Sequence, residues 1–301
     1  MKIATFFVPK LGSRLGLVEG ESVKDLTSID PKLFSSLETL VHEASLNGKS
    51  IDETVSSTIA DKATKSYNLA ELDIAPSQLK AHLIKPLNPS EVWGCGVTYK
   101  TSLSGRIEES KIPTFYEMVY SAERPEIFFK ATGNRCVGPN EPICIRSDSN
   151  WTVPEHELTF ITGENKDIVG YTVGNDVSAR DIEGENPLYL PQCKIYRGCC
   201  SIGPLIATTK EIPNPMSLEM QATVYRNREI VFEGRTNTSR IKRTFQELLE
   251  YLIRDNPVPP CTPVLTGTGI VPPMGFALKE GDIVELKIEK IGVLRNPVTK
   301  L

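Results

Sequence analysis

From Val92 onward the chain reads as a series of short strands, and this constrains the fold more than any other feature. Ile143–Arg146, Glu157–Thr162, Ile168–Val173, Pro204–Thr208, Leu218–Tyr225 and Glu229–Phe232 all have strand patterning. Tyr225-Arg226-Asn227-Arg228 is the expected hairpin turn between the last two, and Asp282–Glu289 adds a strand near the end. One helix interrupts the series. Phe245, Leu248, Leu249, Leu252 and Ile253 recur at helical spacing, with Gln246, Glu247, Glu250 and Arg254 on the other face, and Pro257 closes the segment. Many strands with few helices predict an α+β, β-rich architecture. They exclude a doubly wound sheet, in which strands and helices alternate.

The first eighty or so residues differ. Strand-like pieces at Ile3–Val8 and Leu15–Val18 precede Leu33, Phe34, Leu37, Leu40 and Val41, which predict a helix over Lys32–Ala44 stopped by Asn47-Gly48. A weaker second helix is expected from Ile51 to Ala63, where Thr, Ser and Val lower the propensity. Lys85-Pro86-Leu87-Asn88-Pro89-Ser90 carries two prolines and no periodicity. The expected division is therefore a smaller N-terminal α+β domain, 1–85, and a larger domain, 86–301.

Charge narrows the partners. Lys plus Arg number 34 and Asp plus Glu 38, a formal net charge of −4, which offers no attraction for nucleic acid or an anionic membrane. No apolar run approaches the roughly 18 residues of a membrane span. The opening run Ile3–Val8 is short for a signal peptide and is ended by Pro9, so a cytoplasmic location is expected. The 7 cysteines include the adjacent pair Cys199-Cys200 and show no C-x-x-C spacing. Reduced thiols are the simplest reading.

Four segments can carry chemistry. In Trp151-Thr152-Val153-Pro154-Glu155-His156-Glu157, strand alternation places Glu155 and Glu157 side by side and His156 on the opposite face. The plain alternative is a solvent-facing row of a half-exposed strand. In Gly170–Asp181 an apolar strand runs into Gly174-Asn175-Asp176, so Asp176 either points into a cleft, caps the next segment, or pairs with Arg180; Asp181 reads as structural. Three oxygens from Glu155, Glu157 and Asp176 would make half an octahedron for a hard dication such as Mg²⁺, with Mn²⁺ or Ca²⁺ as stand-ins. Zinc fits less well, because no His or Cys joins the set at ligand spacing.

Lys194 lies in the proline-bracketed, largely apolar stretch Pro187–Ile195, where desolvation suits a base or an enolate partner. Glu126 opens an aromatic strand, Glu126–Thr132, and its plain reading is an edge-strand carboxylate. Thr266-Gly267-Thr268-Gly269 is a Gly-rich turn whose N–H groups could hold a carboxylate, and it lacks nucleotide-loop spacing.

Together, Glu155-His156-Glu157, Gly174-Asn175-Asp176-Val177-Ser178-Ala179-Arg180-Asp181 and Lys194 before Gly203-Pro204 resemble the fumarylacetoacetate hydrolase family over roughly Val92 to Val298. The resemblance implies a mixed β-roll catalytic domain, a Mg²⁺ site on Glu155, Glu157 and Asp176, and small-molecule 2-oxo acid substrates. It also implies a homo-oligomer, a dimer or tetramer. Arg124–Thr132, Glu185–Gln192, Lys194-Ile195-Tyr196 and Tyr251–Pro257 resemble the branch that dehydrates 2-keto-3-deoxy sugar acids, 2-keto-3-deoxy-D-arabinonate among them, to 2,5-dioxopentanoate. That branch implies Glu126 and Lys194 as catalytic groups and Lys194 and Thr268 as substrate contacts. It also implies a lid over residues 100–122. The alternative within the family is a hydrolase, isomerase or decarboxylase of a 2,4-dioxo acid. Against hydrolysis, the stretch Gly96–Ser102 lacks the His that activates water in the family's carbon–carbon hydrolases, and the only histidines are His42, His82 and His156.

Overall fold

The computed structural model describes residues 1–60, 62–109 and 113–301. Asp61, in the expected second helix, and residues 110–112, in the expected lid, lie outside the described residues.

The N-terminal part contains β1 (Lys2–Val8), β2 (Gly12–Glu19), β3 (Ser22–Asp25), α1 (Leu37–Leu46), α2 (Ile51–Ile59), β4 (Ser66–Asn68), α3 (Leu69–Leu72) and β5 (His82–Leu83). Then come β6 (Glu91–Gly96), α4 (Lys100–Glu109), α5 (Pro113–Ser121), β7 (Glu126–Thr132), β8 (Cys136–Val137), β9 (Ile143–Ile145) and β10 (Thr152–Val153). Next are β11 (His156–Thr162), β12 (Ile168–Asp176), β13 (Ser178–Ala179), α6 (Arg180–Glu185), α7 (Leu190–Lys194) and β14 (Cys200–Thr208). The chain ends with β15 (Glu219–Arg226), β16 (Glu229–Asn237), α8 (Phe245–Leu252), β17 (Pro263–Leu265), β18 (Ile283–Ile288) and β19 (Gly292–Lys300).

Strand-rich patterning thus becomes an α+β fold with two main sheets. The larger runs β4-β3-β2-β1-β14-β12-β11-β17-β6-β7, with β5 on β1 and β8 on β14; the smaller runs β16-β15-β18-β19-β9. The N-terminal strands extend the larger sheet directly, since β1 pairs with β14 through Lys2↔Ala207, Ile3↔Ile206 and Ala4↔Leu205. The expected division at residue 85 therefore separates two stretches of chain that share one sheet.

Local chemistry explains where elements begin and end. α1 starts at Leu37 and not at Lys32, because Ser36 caps it by accepting from Thr39 N at 3.1 Å. Before that cap, Asp30 accepts from Lys32 N and Leu33 N and holds the chain in a turn. α2 opens on a reciprocal Ser50–Glu53 capping box and stops at Ile59, short of Ala63, where Ala60 turns out of helical conformation. The expected hairpin turn forms between β15 and β16, with Asn227 and Arg228 both at positive φ (52° and 70°), the pattern of a two-residue type I′ loop.

The core lies between the sheets. Leu158 and Phe160 of β11 and Tyr171 and Val173 of β12 pack toward Val224, Val284 and Leu286 of the smaller sheet. The amphipathic face of α8 joins them, with Phe245 6.2 Å from Phe160 and 6.3 Å from Tyr171 between ring centroids. Each fully buried side chain of that kind contributes roughly 1.5–3 kcal/mol, so packing more than propensity holds this short helix. All seven residues of β11 are buried, as are the last seven of β12. Both faces of this pair are covered, which makes it a rigid platform.

Candidate active site

β11 and β12 pair antiparallel with His156↔Asn175 and Glu157↔Gly174, and Asp176 N donates to Glu155 O at 3.0 Å. Alternation then puts Glu155, Glu157 and Asp176 on one face. Their ligand oxygens lie within 4.8 Å of one another, and each residue is 3% exposed or less. The solvent-facing reading of this row is thereby overturned. Gly174 is required between them, because an added Cβ would collide with the Thr159 hydroxyl. His156 faces the core, where burial pulls its imidazole down to about 3 and keeps it neutral.

Buried cations surround the carboxylates. Lys194, the last residue of α7, donates through Nζ to Glu155 Oε2 (2.8 Å), Asp176 Oδ2 (2.8 Å) and Ser178 Oγ (2.6 Å). It also sits 5.4 Å from the centre of the Phe128 ring. The expectation of a lysine in apolar surroundings is corrected here: its stem is buried, but its ammonium contacts two carboxylates and a hydroxyl. Arg180 donates to Glu155 Oε1 at 3.1 Å, so the alternative pairing of Asp176 with Arg180 is not the one formed. Asp181 is structural, accepting from the Ser149 hydroxyl and from Asn150 N at 2.8 and 2.7 Å.

Lys130 escapes a reading of the sequence. It is fully buried, donates to the carbonyls of Val177 (3.0 Å) and Lys194 (2.6 Å), and lies 2.5 Å from Asp176 Oδ1. Burial is the largest influence and disfavours its charge, but the Asp176 carboxylate and the Cys199 and Cys200 thiols together outweigh it and hold the ammonium above its ordinary range. The available signal is a lysine inside the apolar strand Glu126–Thr132, which can be buried only against a fixed partner.

Glu157 is held by the Gly267 N–H, which donates to Oε2 at 2.6 Å. The Gly-rich turn thus cradles a carboxylate as expected, and the carboxylate it holds is the protein's own. Gly267 sits at φ +94°, and a side chain there would meet the Thr98 hydroxyl. Thr268 lines the same cavity, its hydroxyl engaged with Ile270 N at 3.2 Å and Ile270 O at 3.1 Å.

Glu126 opens β7, the last strand of the larger sheet, so the edge-strand reading describes its position correctly. Its carboxylate nonetheless enters the cavity, in space left by Gly96 on the paired strand. The cavity is walled by Glu126, Glu155, Glu157, Asp176, Glu183 and Lys194, with Phe128, Leu190 and Thr268. The expected lid segment forms α4 and α5, which contribute Ser102 and Tyr116 to the wall. Among the described residues no histidine lines it: His42 pairs with Glu164 at 2.8 Å on the surface, and His82 lies in β5.

This donor set fits a hard dication. Burial, then the neighbouring Asp176 and Glu155 carboxylates, push the Glu157 carboxyl well above the usual range, which is the strain a cation relieves. Lys194 and Arg180 pair with Glu155, and Lys130 and Lys194 with Asp176.

The sequence and fold match known proteins. The family model for the fumarylacetoacetate (FAA) hydrolase C-terminal region matches residues 106–299. The chain belongs to the fumarylacetoacetate hydrolase family. Among family members, it is 53% identical over 222 residues to 2-dehydro-3-deoxy-D-arabinonate dehydratase of Saccharolobus solfataricus, covering 72% of this chain and 74% of that one. It is 44% identical over 286 residues to a probable 2-keto-3-deoxyxylonate dehydratase of Haloferax volcanii, covering 95% of each. A structure of 2-keto-3-deoxy-D-arabinonate dehydratase complexed with magnesium and 2,5-dioxopentanoate superposes with a TM-score of 0.82 at 39% identity, covering 100% of this chain and 99% of that one.

Proposed function

We propose that this family member is a Mg²⁺-dependent hydro-lyase acting on 2-keto-3-deoxy-D-arabinonate or a similar 2-keto-3-deoxy sugar acid. It removes one water and yields 2,5-dioxopentanoate. One observation carries the reading: a cavity with Glu126 and Lys194 beside three buried carboxylates, and no lining histidine among the described residues, in a chain similar to two sugar-acid dehydratases.

Glu155, Glu157 and Asp176 would hold the ion, and Mn²⁺ or Ca²⁺ suits the same oxygen donors. When bound, Mg²⁺ supplies Lewis acidity, polarising the 2-oxo group and acidifying the C3 protons. Lys194 takes a C3 proton after its ammonium, which donates to Glu155, Asp176 and Ser178, has given up a proton. Glu126 delivers a proton to the departing C4 hydroxyl, which would otherwise be a poor leaving group. The C3=C4 alkene so formed loses a C5 proton and regains one at C3, and the resulting C4=C5 enol takes a proton at C4 as its hydroxyl releases one, giving the aldehyde. Lys194 and the Thr268 hydroxyl face the substrate, while α4 and α5 exclude water from the cavity.

All of the cavity wall comes from the second stretch of chain, so 1–85 and 86–301 remain the proposed domains. The quaternary state we infer is a homo-oligomer, a dimer or tetramer. β16 is an edge strand with Ile230 57% exposed and Val231 and Met274 exposed near it, and pairing with another copy would cover this edge. No helix among the described residues is long and apolar enough to cross a membrane. All seven cysteines are free and buried, which suits a reducing cytoplasm. A coupled assay of the purified protein with 2-keto-3-deoxy-D-arabinonate should show an aldehyde formed with Mg²⁺ and lost on chelation. Pyruvate, or no reaction, would refute the dehydratase.

A further inference from the structure

β6 and β7 pair in step from Gly96↔Glu126 to Trp93↔Phe129, and the next pair is Val92↔Ala131. Lys130 thus faces no residue on β6. A bulge of this kind is common beside active sites. Alternation within β7 puts Lys130 on the face of Glu126 and Phe128, and its side chain is buried in the interior behind the cavity wall.

The partners of this ammonium form a closed circuit. Lys130 Nζ lies against Asp176 Oδ1 at 2.5 Å, while Asp176 Oδ2 accepts from Lys194 Nζ at 2.8 Å. The carbonyl of that same Lys194 accepts from Lys130 Nζ at 2.6 Å. Lys130 Nζ also donates to Val177 O at 3.0 Å, a carbonyl that also accepts from the Tyr196 hydroxyl at 3.2 Å. Two carbonyl hydrogen bonds and the ion pair with Asp176 are what make its burial tolerable. Lys130 is not part of the cavity wall, so it has no route to the substrate. What it joins are the end of β12, the link to β13 and the last residue of α7.

We propose that Lys130 is a positioning residue, whose ammonium fixes the Asp176 carboxylate and the Lys194 amine relative to one another. This rests on the reading of Asp176 as a metal ligand and Lys194 as the base. Two variants, with two measurements each, test it: Mg²⁺ affinity by calorimetry, and deuterium exchange at C3 of 2-oxobutyrate by NMR. Lys130→Met should slow exchange about 100-fold, the size expected when a catalytic group is misplaced by an ångström. Its Mg²⁺ affinity should fall about 10-fold, with KM for 2-oxobutyrate within about 3-fold, because groups that orient metal ligands act on affinity without touching substrate. A merely structural lysine would not split kcat from KM in this way.

Lys130→Arg keeps a positive charge toward Asp176 and decides the matter if Lys130→Met does not fold. Its planar fork cannot reproduce the three-way contact, so exchange should fall at least about 10-fold while Mg²⁺ affinity stays within about 3-fold. The inference is overturned by wild-type exchange in Lys130→Arg. It is equally overturned if exchange and Mg²⁺ affinity in Lys130→Met both stay within about 3-fold of wild type. A wild-type protein that neither binds Mg²⁺ nor exchanges C3 would take down the site reading and this inference with it.

Discussion

His156 and Glu157 are adjacent, equally buried and on opposite faces of β11, and their surroundings have nothing in common. The imidazole lies among core side chains with neither ring nitrogen hydrogen-bonded among the described residues, and burial keeps it neutral. The carboxylate meets a backbone N–H from Gly267 and two further carboxylates. One strand thus separates a face built for packing from a face built for charge. The difference shows how charge is admitted to this interior. The cations and N–H groups that stabilise it arrive from β7, α6, α7 and the turn after β17, none of them on β11 itself.

The comparison breaks most readily on the charged face. Lys194→Ala should abolish dehydration, a loss on the order of 10²–10⁴-fold for a general base. Its Mg²⁺ affinity should be unchanged or higher, because one cation facing Glu155 and Asp176 is gone. A near-wild-type rate would remove Lys194 from the chemistry. Glu126→Gln should lose dehydration by about 10²-fold or more yet still exchange deuterium into C3 of 2-oxobutyrate, since exchange needs no leaving-group acid. NMR in heavy water reads both, and loss of both together would make Glu126 the base.

A paired substitution tests the two faces directly. Glu157→Gln should weaken Mg²⁺ binding at least about 10-fold by calorimetry, whereas His156→Leu, on the packing face, should leave it within about 3-fold. Equal losses would mean that the faces are not independent. The smallest effect lies on the core face of β12. Burial pushes the Tyr171 hydroxyl up to about 12 from an ordinary value of 10. Between those pH values the unfolded chain releases a proton that the folded one keeps, so stability falls as pH rises through that window. Tyr171→Phe removes this loss, and its melting temperature should drop less than that of wild type between pH 10 and pH 12, a window set by the same shift. Parallel declines would place the alkaline sensitivity elsewhere.

What was legible in the sequence was local. The Glu155–Glu157 spacing and a strand running into Asp176 depend on alternation within a few residues, and the structure brings these three carboxylates together. The amphipathic face of α8 was equally plain. What was not legible depends on pairing at long range. Alternation within β7 puts Lys130 on the face of Glu126 and Phe128, but its partners Asp176, Val177 and Lys194 lie far along the chain. Gly267 reaches Glu157 because β17 joins β6 and β11 through pairs such as Val264↔Trp93 and Thr159↔Leu265. The continuity of the N-terminal strands with β14 spans some two hundred residues of chain. The late start of α1 had a local cause in Ser36, hidden by buried Phe34, whose apolar side chain mimics a helical position outside the helix.

The most direct test of the account is proton NMR of the wild-type protein with 2-keto-3-deoxy-D-arabinonate and Mg²⁺ in heavy water. The account predicts an aldehyde resonance from 2,5-dioxopentanoate, deuterium at C3, and the loss of both when the ion is chelated. Formation of pyruvate, an unchanged substrate, or dehydration that persists without a divalent ion would contradict it.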